Sequence, residues 1–262
     1  MEDATLFDVG GRVVVVTGGA GQLGRAFTRS LVAAGARVAV LDMAPVSAGE
    51  NILSLVCDVT DRGELAEALA RIEETWETPR GLVNAAALDS PPNASPAENG
   101  PFEDYPESSW DRIMEVNAKS VFLCCQIFGG AMAHAGRGSI VNIASIYGAV
   151  SPDQGLYQYR RDRGEVFYKP VAYSASKSAI YNLTRYLATY WGAKGVRVNT
   201  VTFGGVFNNQ DRAFLDRYNA KVPLGRMADE NEYNGVIQFL LSDASSYMTG
   251  SNVVVDGGFT AW

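Results

Sequence analysis

Apolar positions along the 262 residues of this chain fall into two alternating rhythms. One is short and unbroken. Residues 12–17 (RVVVVT), 37–41, 52–56, 81–87, 139–144, 195–201 and 251–258 are runs rich in β-branched or small apolar side chains. Such runs suit strands covered on both faces. The other rhythm is longer, with apolar residues returning every third or fourth position, as in helices with one buried face. It predicts helices from Gly24 to about Ala34, over 61–76, from a Ser108 or Ser109 cap to about His134, from Val171 to about Lys194, and from about Asp229 to Leu241. No internal repeat and no linker divides the chain. Strands and helices alternate throughout, which predicts one domain, residues 1–262, with a doubly wound three-layer α/β fold and a mostly parallel, seven-stranded sheet.

Two stretches break the rhythm. Residues 89–105 hold Pro91, Pro92, Pro96 and Pro101 with Asn93, Ser95, Asn99 and Gly100, and read as a long loop over the carboxyl edge of the sheet. Residues 150–170 gather Tyr157, Tyr159, Phe167 and Tyr168 among Arg160, Arg161, Arg163 and Lys169. Two readings stand for this insertion. Its cations pair with Asp153, Asp162 and Glu165 on a solvated surface. Alternatively it is a substrate flap, in which Arg160, Arg161 and Arg163 clamp an anionic group and Tyr157 stacks on a ring.

Composition narrows the partners. With 22 Lys and Arg against 29 Asp and Glu, a net charge of −7 argues against nucleic acid or an anionic membrane as the main partner. No apolar run reaches the roughly 20 residues needed to span a bilayer, and the first residues carry no secretory pattern. Cys57, Cys124 and Cys125 form no CxxC or metal spacing, so no metal site is expected, and the simplest compartment is a reducing cytoplasm. His134 is the only histidine, which disfavours a Ser-His-Asp apparatus.

The first strand runs straight into Gly18-Gly19-Ala20-Gly21-Gln22-Leu23-Gly24, then a helix, a second strand, and Asp42 at 18 residues past Gly24. Strand, glycine turn, helix, strand and acid together suit a dinucleotide. Glycines let backbone approach a pyrophosphate, the helix start offers N–H groups and a positive dipole end, and the acid accepts from ribose hydroxyls. An acid there would repel a 2′-phosphate, which selects NAD over NADP. Asp58 either hydrogen-bonds an adenine amine or acts as a cap before the helix at 61–76. The small residues of Asn84-Ala85-Ala86 let a flat ligand lie on backbone.

Tyr173 and Lys177, four residues apart, share one helix face. A nearby ammonium lowers a phenol's pKa and fits it to exchange a proton at an alcohol or carbonyl oxygen. The spacing alone is weak: Tyr190 and Lys194 repeat it with Gly192 between them, and there it reads as surface. Asn117 sits mid-helix, where its propensity is poor, which calls for a buried hydrogen bond or a role in the site. Ser145 closes the fifth strand.

TGGAGQLG, Asp42, CDV, VNAAA, Asn117, SIVNIAS, YSASK, RVNTV and VDGG occur in this order from about Gly11 to Gly258. In this the chain resembles the short-chain dehydrogenases/reductases, nearly end to end. The resemblance implies a Rossmann-type NAD-binding fold and a dimer or tetramer. It further implies Tyr173 as acid/base, Lys177 as the partner that lowers its pKa and binds the nicotinamide ribose, Ser145 on the substrate oxygen, and Asn117 in a proton relay. The cofactor contacts it implies are Gly18, Gly21, Gln22, Leu23, Gly24, Asp42, Asp58, Val59, Asn84, Ala85, Ala86, Tyr173, Lys177, Gly204 and Val206. The chain departs from the family pattern at Gln22, in N-A-A-A at residues 84–87, at Phe203-Gly204, and in the 28 positions that separate Ser145 from Tyr173. The insertion and the GGFTAW tail are similar to oxidoreductases of flagellin modification and legionaminic-type sugar assembly. The implied activity is hydride transfer between NAD and a secondary alcohol or ketone of a small polar substrate: a sugar, amino sugar or sugar phosphate. A 3-oxoacyl-thioester or general ketone reductase is the alternative, with a non-catalytic NAD-binding protein behind it.

Overall fold

The computed structural model describes residues 6–89 and 96–262. Pro91, Pro92, Asn93 and Ser95 lie outside the described residues. Seven strands form one sheet: β1 (Val13–Thr17), β2 (Arg37–Asp42), β3 (Ile52–Val56), β4 (Gly81–Asn84), β5 (Gly138–Ser145), β6 (Val196–Phe203) and β7 (Asn252–Val255). Their order is β3-β2-β1-β4-β5-β6-β7, and every pairing is parallel. The chain winds one way from β1 to β3 and the other way from β4 to β7. The reversal leaves a crevice beyond the carboxyl ends of β1 and β4, where open α/β sheets bind their ligands.

Alternation along β1 explains the three layers. Val13 and Val15 join the core that holds Leu65, Ile72, Phe128, Met132, Ile180 and Trp191, from the helices on one face. Val14 and Val16 join Phe27, Leu31, Ile237 and Leu240 on the other. A period of two on a strand covered twice leaves no polar face, hence the unbroken RVVVVT. The helix Glu107–His134 is long and apolar enough to cross a membrane by length and composition alone. Here it is a core helix: Val121, Leu123, Cys124, Cys125 and Phe128 are all buried against the sheet. It begins after Pro106 with no side-chain cap, not at Ser108 or Ser109. Proline fits here because its ring presets a backbone angle suited to the chain entering a helix. Asp61, rather than Asp58, caps the helix Arg62–Thr75 by accepting from the Gly63 and Glu64 amides. Asp58 closes its own turn, accepting from the Thr60 amide and hydroxyl.

Residues 208–221 contain a helix, Arg212–Asn219, with Asp211 as its cap. The insertion folds too. It holds the turn Gln154–Tyr157 and the helix Gln158–Asp162, and its Leu156, Tyr157 and Phe167 form a third core with Ile146, Tyr147, Tyr218, Val222 and Met227.

Thr17 ties the two halves of the sheet. Its hydroxyl oxygen accepts from the amides of Ala85 and Ala86, each at 3.1 Å. Thr17→Val deprives both part-buried amides of this acceptor and should cost about 1 kcal/mol, whereas Thr17→Ser should keep near-native stability. Urea unfolding of the three proteins checks this.

Candidate active site

Gly18 follows β1 at φ 68°, in the left-handed region that only glycine adopts without strain. A Cβ there would lie 2.7 Å from the Ala86 Cα, so the glycine turn sits directly on the end of β4. Gly21 precedes the helix Gln22–Ala33, whose first turn has no side-chain cap and no acid. Its leading N–H groups therefore have no side-chain partner, which suits a phosphate. Asp42 ends β2. One of its oxygens accepts from the Ala20 amide at 2.9 Å and the other from Ala44 at 3.0 Å, which fixes the carboxylate beside the turn. These residues fit a dinucleotide.

Other sequence-read contacts also have partners within the protein. The Asn84 side chain turns inward and donates to Asn142 at 2.8 Å; Asn142 then donates to Thr184 beneath the site. Gly204 has both peptide groups taken, its amide by Val255 and its carbonyl by Tyr233. Gln22 donates to the Phe207 carbonyl across the crevice, and Val206 bridges to Ala228.

Ser145 ends β5 as the cap of the short helix Ile146–Ala149 and is 8% exposed. The helix Val171–Trp191 crosses this strand end and is stapled to it. Lys177 Nζ donates to the Ile143 carbonyl at 3.0 Å, the Ser178 hydroxyl to Gly148 at 2.8 Å, and the Tyr181 hydroxyl to the Ser145 carbonyl at 3.2 Å. Asn117 lies, fully buried, in a π-helical turn, Glu115–Lys119, of the long helix. Its amide both accepts from and donates to the Leu88 backbone, at 2.7 and 2.8 Å, and donates to Ser176 at 3.1 Å. A polar residue that is poor in helices thus holds the end of β4 to the Tyr173 helix, and the widened turn marks the place. Asn117 meets the Tyr173 helix at Ser176, Lys177 meets β5 at Ile143, and Ser145 is hydrogen-bonded to Tyr173.

The electrostatics differ from the sequence reading in one respect. Burial pushes the Tyr173 phenol above its ordinary value, the Asp89 carboxylate adds to the rise, and a hydrogen bond with Ser145 opposes it. Desolvation outweighs the lowering in a site this enclosed. Burial also depresses the Lys177 ammonium to about 8, with Asp89 opposing.

The insertion's arginines are engaged within the protein. Arg160 pairs with Glu165 and lies over the Phe167 ring; Arg163 pairs with Asp211. Arg161 donates to the Phe167 and Gln154 carbonyls. Tyr157 is 8% exposed, its ring 4.9 Å from Phe167 and 5.6 Å from Phe214. These contacts follow the first of the two readings, cations paired with the protein's own groups. What reaches the site instead is Lys169, whose Nζ stands 4.7 Å from the centre of the Tyr173 ring, against 6.0 Å for Lys177. Lys169 pairs with Asp89, and the Tyr147 ring lies 5.9 Å from its Nζ. Lys169 stands four residues before Tyr173, a signal masked by Pro170, which separates it from the helix. Cys57 and Cys125 are buried, with thiols pushed up to about 12, and no group of potential metal ligands occurs among the described residues.

A family model described as Enoyl-(Acyl carrier protein) reductase matches residues 18–260. Galactitol 2-dehydrogenase of Rhizobium johnstonii is 32% identical over 272 residues, covering 98% of each chain. An NAD-dependent glycerol dehydrogenase of Listeria innocua is 31% identical and covers 97% of this chain and 96% of that one. A solved short-chain dehydrogenase of Leptospira borgpetersenii with bound NAD+ superposes with a TM-score of 0.87 at 31% identity, over 99% of this chain and 96% of the other. The chain belongs to the short-chain dehydrogenase/reductase family. It is an oxidoreductase that acts on CH–OH groups with NAD(P).

The depressed Lys177 pKa has a consequence for stability. Between about 8 and the ordinary value of 10.5 the unfolded chain binds more protons at this position than the folded chain, so folding gains as pH rises through that window. The stability of the wild type relative to Lys177→Met should therefore rise from pH 8 towards 10.5 and be flat below 7. Paired urea titrations across this range check it.

Proposed function

We propose that this protein is an NAD-dependent dehydrogenase that interconverts a secondary alcohol and a ketone on a polar substrate, a sugar or sugar alcohol. The convergence of Ser145, Tyr173, Lys177 and Asn117 at the rim of the β1/β4 crevice carries this reading. Tyr173 gives or takes the proton at the substrate oxygen, and the Ser145 hydroxyl holds that oxygen in place. Lys177 binds the ribose next to the nicotinamide and keeps the phenol in a charged environment. Asn117 anchors the relay behind it. The dinucleotide, when bound, supplies or accepts the hydride. Asp42 supports NAD over NADP, because a fixed carboxylate beside the ribose site repels a 2′-phosphate. The relatives named for galactitol and glycerol support a hydroxyl-rich substrate.

The description of the matching family model favours a second reading, reduction of an acyl thioester. A panel of alditols, sugars and 3-oxoacyl thioesters, each with NAD(H) and NADP(H), separates the two. Turnover of alditols or sugars with NAD is expected, with a loss of about 10²–10⁴-fold in kcat for Tyr173→Phe at unchanged NADH affinity. Preference for thioesters favours the second reading. NADH binding with no turnover across the panel points to a binding protein.

The assembly we propose is a homodimer or homotetramer. A groove of about 750 Å³ runs between the long helix and the Tyr173 helix, lined by Phe122, Tyr186, Tyr190 and Trp191. Phe122, Tyr186 and Tyr190 are 45%, 63% and 58% exposed, while Phe128 faces the core. Exposed rings in a row fit an interface between copies. Light scattering should give a multiple of 28.1 kDa for the wild type and a lighter species for Phe122→Glu with Tyr186→Glu.

A further inference from the structure

Lys169 is an unusual cation for an exposed insertion. Its side chain is only 8% exposed, while its partner Asp89 is 58% exposed. The insertion holds it firmly. The Gln154 side chain accepts from the Lys169 amide at 2.9 Å and donates to its carbonyl at 3.2 Å. Arg161 pins the carbonyls of Gln154 and Phe167. The Tyr168 amide donates to the Asn99 carbonyl at 2.8 Å, joining the insertion to the segment that follows residue 95. These bonds fix the backbone of residues 167–169, from which the Lys169 ammonium reaches over the Tyr173 ring. Beside it, Tyr147 is 8% exposed, its ring 5.9 Å from the Lys169 Nζ and its hydroxyl within reach of the Tyr157 hydroxyl. A buried ring against an ammonium and an ion pair at the reacting phenol makes a polar wall that a substrate hydroxyl can complete.

We infer that Lys169, Asp89 and Tyr147 form a hydroxyl-reading subsite beside Tyr173 that selects neutral polyhydroxy substrates over anionic ones. This rests on the dehydrogenase reading above for the identity of the reacting centre. A hydroxyl on the carbon next to that centre donates to the Asp89 carboxylate and accepts from the Lys169 ammonium at once. The pair is neutral as a unit. A carboxylate or phosphate entering it meets Asp89 at close range and must break an ion pair with one buried partner, which costs more than two new hydrogen bonds return. Asp89 is felt across the site, acting on Tyr147, Tyr157, Tyr173 and Lys177. Arg160, Arg161 and Arg163, which would favour an anion, are turned into the protein's own contacts.

Calorimetric titration of the NADH-loaded enzyme with galactitol and with galactonate tests the subsite without relying on turnover. The wild type should bind galactitol about tenfold or more tightly than galactonate. Asp89→Asn removes the repulsion and unpairs Lys169, so the preference should fall by about tenfold or invert. Tyr147→Phe should weaken galactitol several-fold while leaving galactonate binding and NADH affinity unchanged; a merely structural tyrosine would move all three together. Equal or tighter galactonate binding by the wild type, no binding of either, or an unchanged ratio in Asp89→Asn overturns the inference. Galactitol binding in the expected order with no polyol oxidised retires the dehydrogenase reading and leaves the subsite standing. Polyol turnover with a ratio indifferent to Asp89 does the reverse.

Discussion

The buried Lys177 ammonium, hydrogen-bonded to the Ile143 carbonyl, is the constraint on which the site depends. A charge taken out of water must be met by fixed polar groups. Meeting it brings the helix Val171–Trp191 down onto the end of β5. Once Lys177 is in place, Ser178 and Tyr181 reach Gly148 and the Ser145 carbonyl, and Tyr173 is carried one turn up to Ser145. Gly148 makes the approach possible, since a Cβ there would sit 2.7 Å from the Lys177 backbone. Position, desolvation and the depressed lysine pKa are thus consequences of one contact.

A second layer of buried polar groups keeps that contact in register with the cofactor crevice. Asn117 binds the Leu88 backbone on one side and Ser176 on the other. Asn84, Asn142, Thr184 and Thr200 form a chain of side-chain hydrogen bonds under the sheet's carboxyl edge. Networks of this kind are costly when incomplete and specific when satisfied. They hold β4, β5, β6 and two helices to one arrangement, which apolar packing alone would leave freer to slide.

The insertion at residues 150–170 fits the same logic. Its aromatic residues build a small third core beyond the ends of β5 and β6, and its arginines satisfy the insertion's own carbonyls and acids. The cation that meets the site is the one at the end of the segment, directly before the helix. Tyr147 and Asp89 meet this cation from the segments that follow β5 and β4, so three separate parts of the chain come together beside Tyr173.

Periodicity and motif order determined the sheet, its helices, the glycine turn with Asp42, and the four residues that converge at the rim. These depend on local rules: alternation along a strand, a helical turn between Tyr173 and Lys177, small residues where backbone meets a ligand. Tertiary structure alone decided where the long side chains point. Asn84 faces inward because Asn142 lies one strand away. Arg161 is spent on carbonyls that folding brings to it, and the phenol of Tyr173 is raised because burial outweighs the opposing hydrogen bond with Ser145. Lys169 and Asp89, 80 positions apart, meet only when β4 and the insertion are packed together. Contacts of that separation leave no period in a sequence, because nothing local requires them.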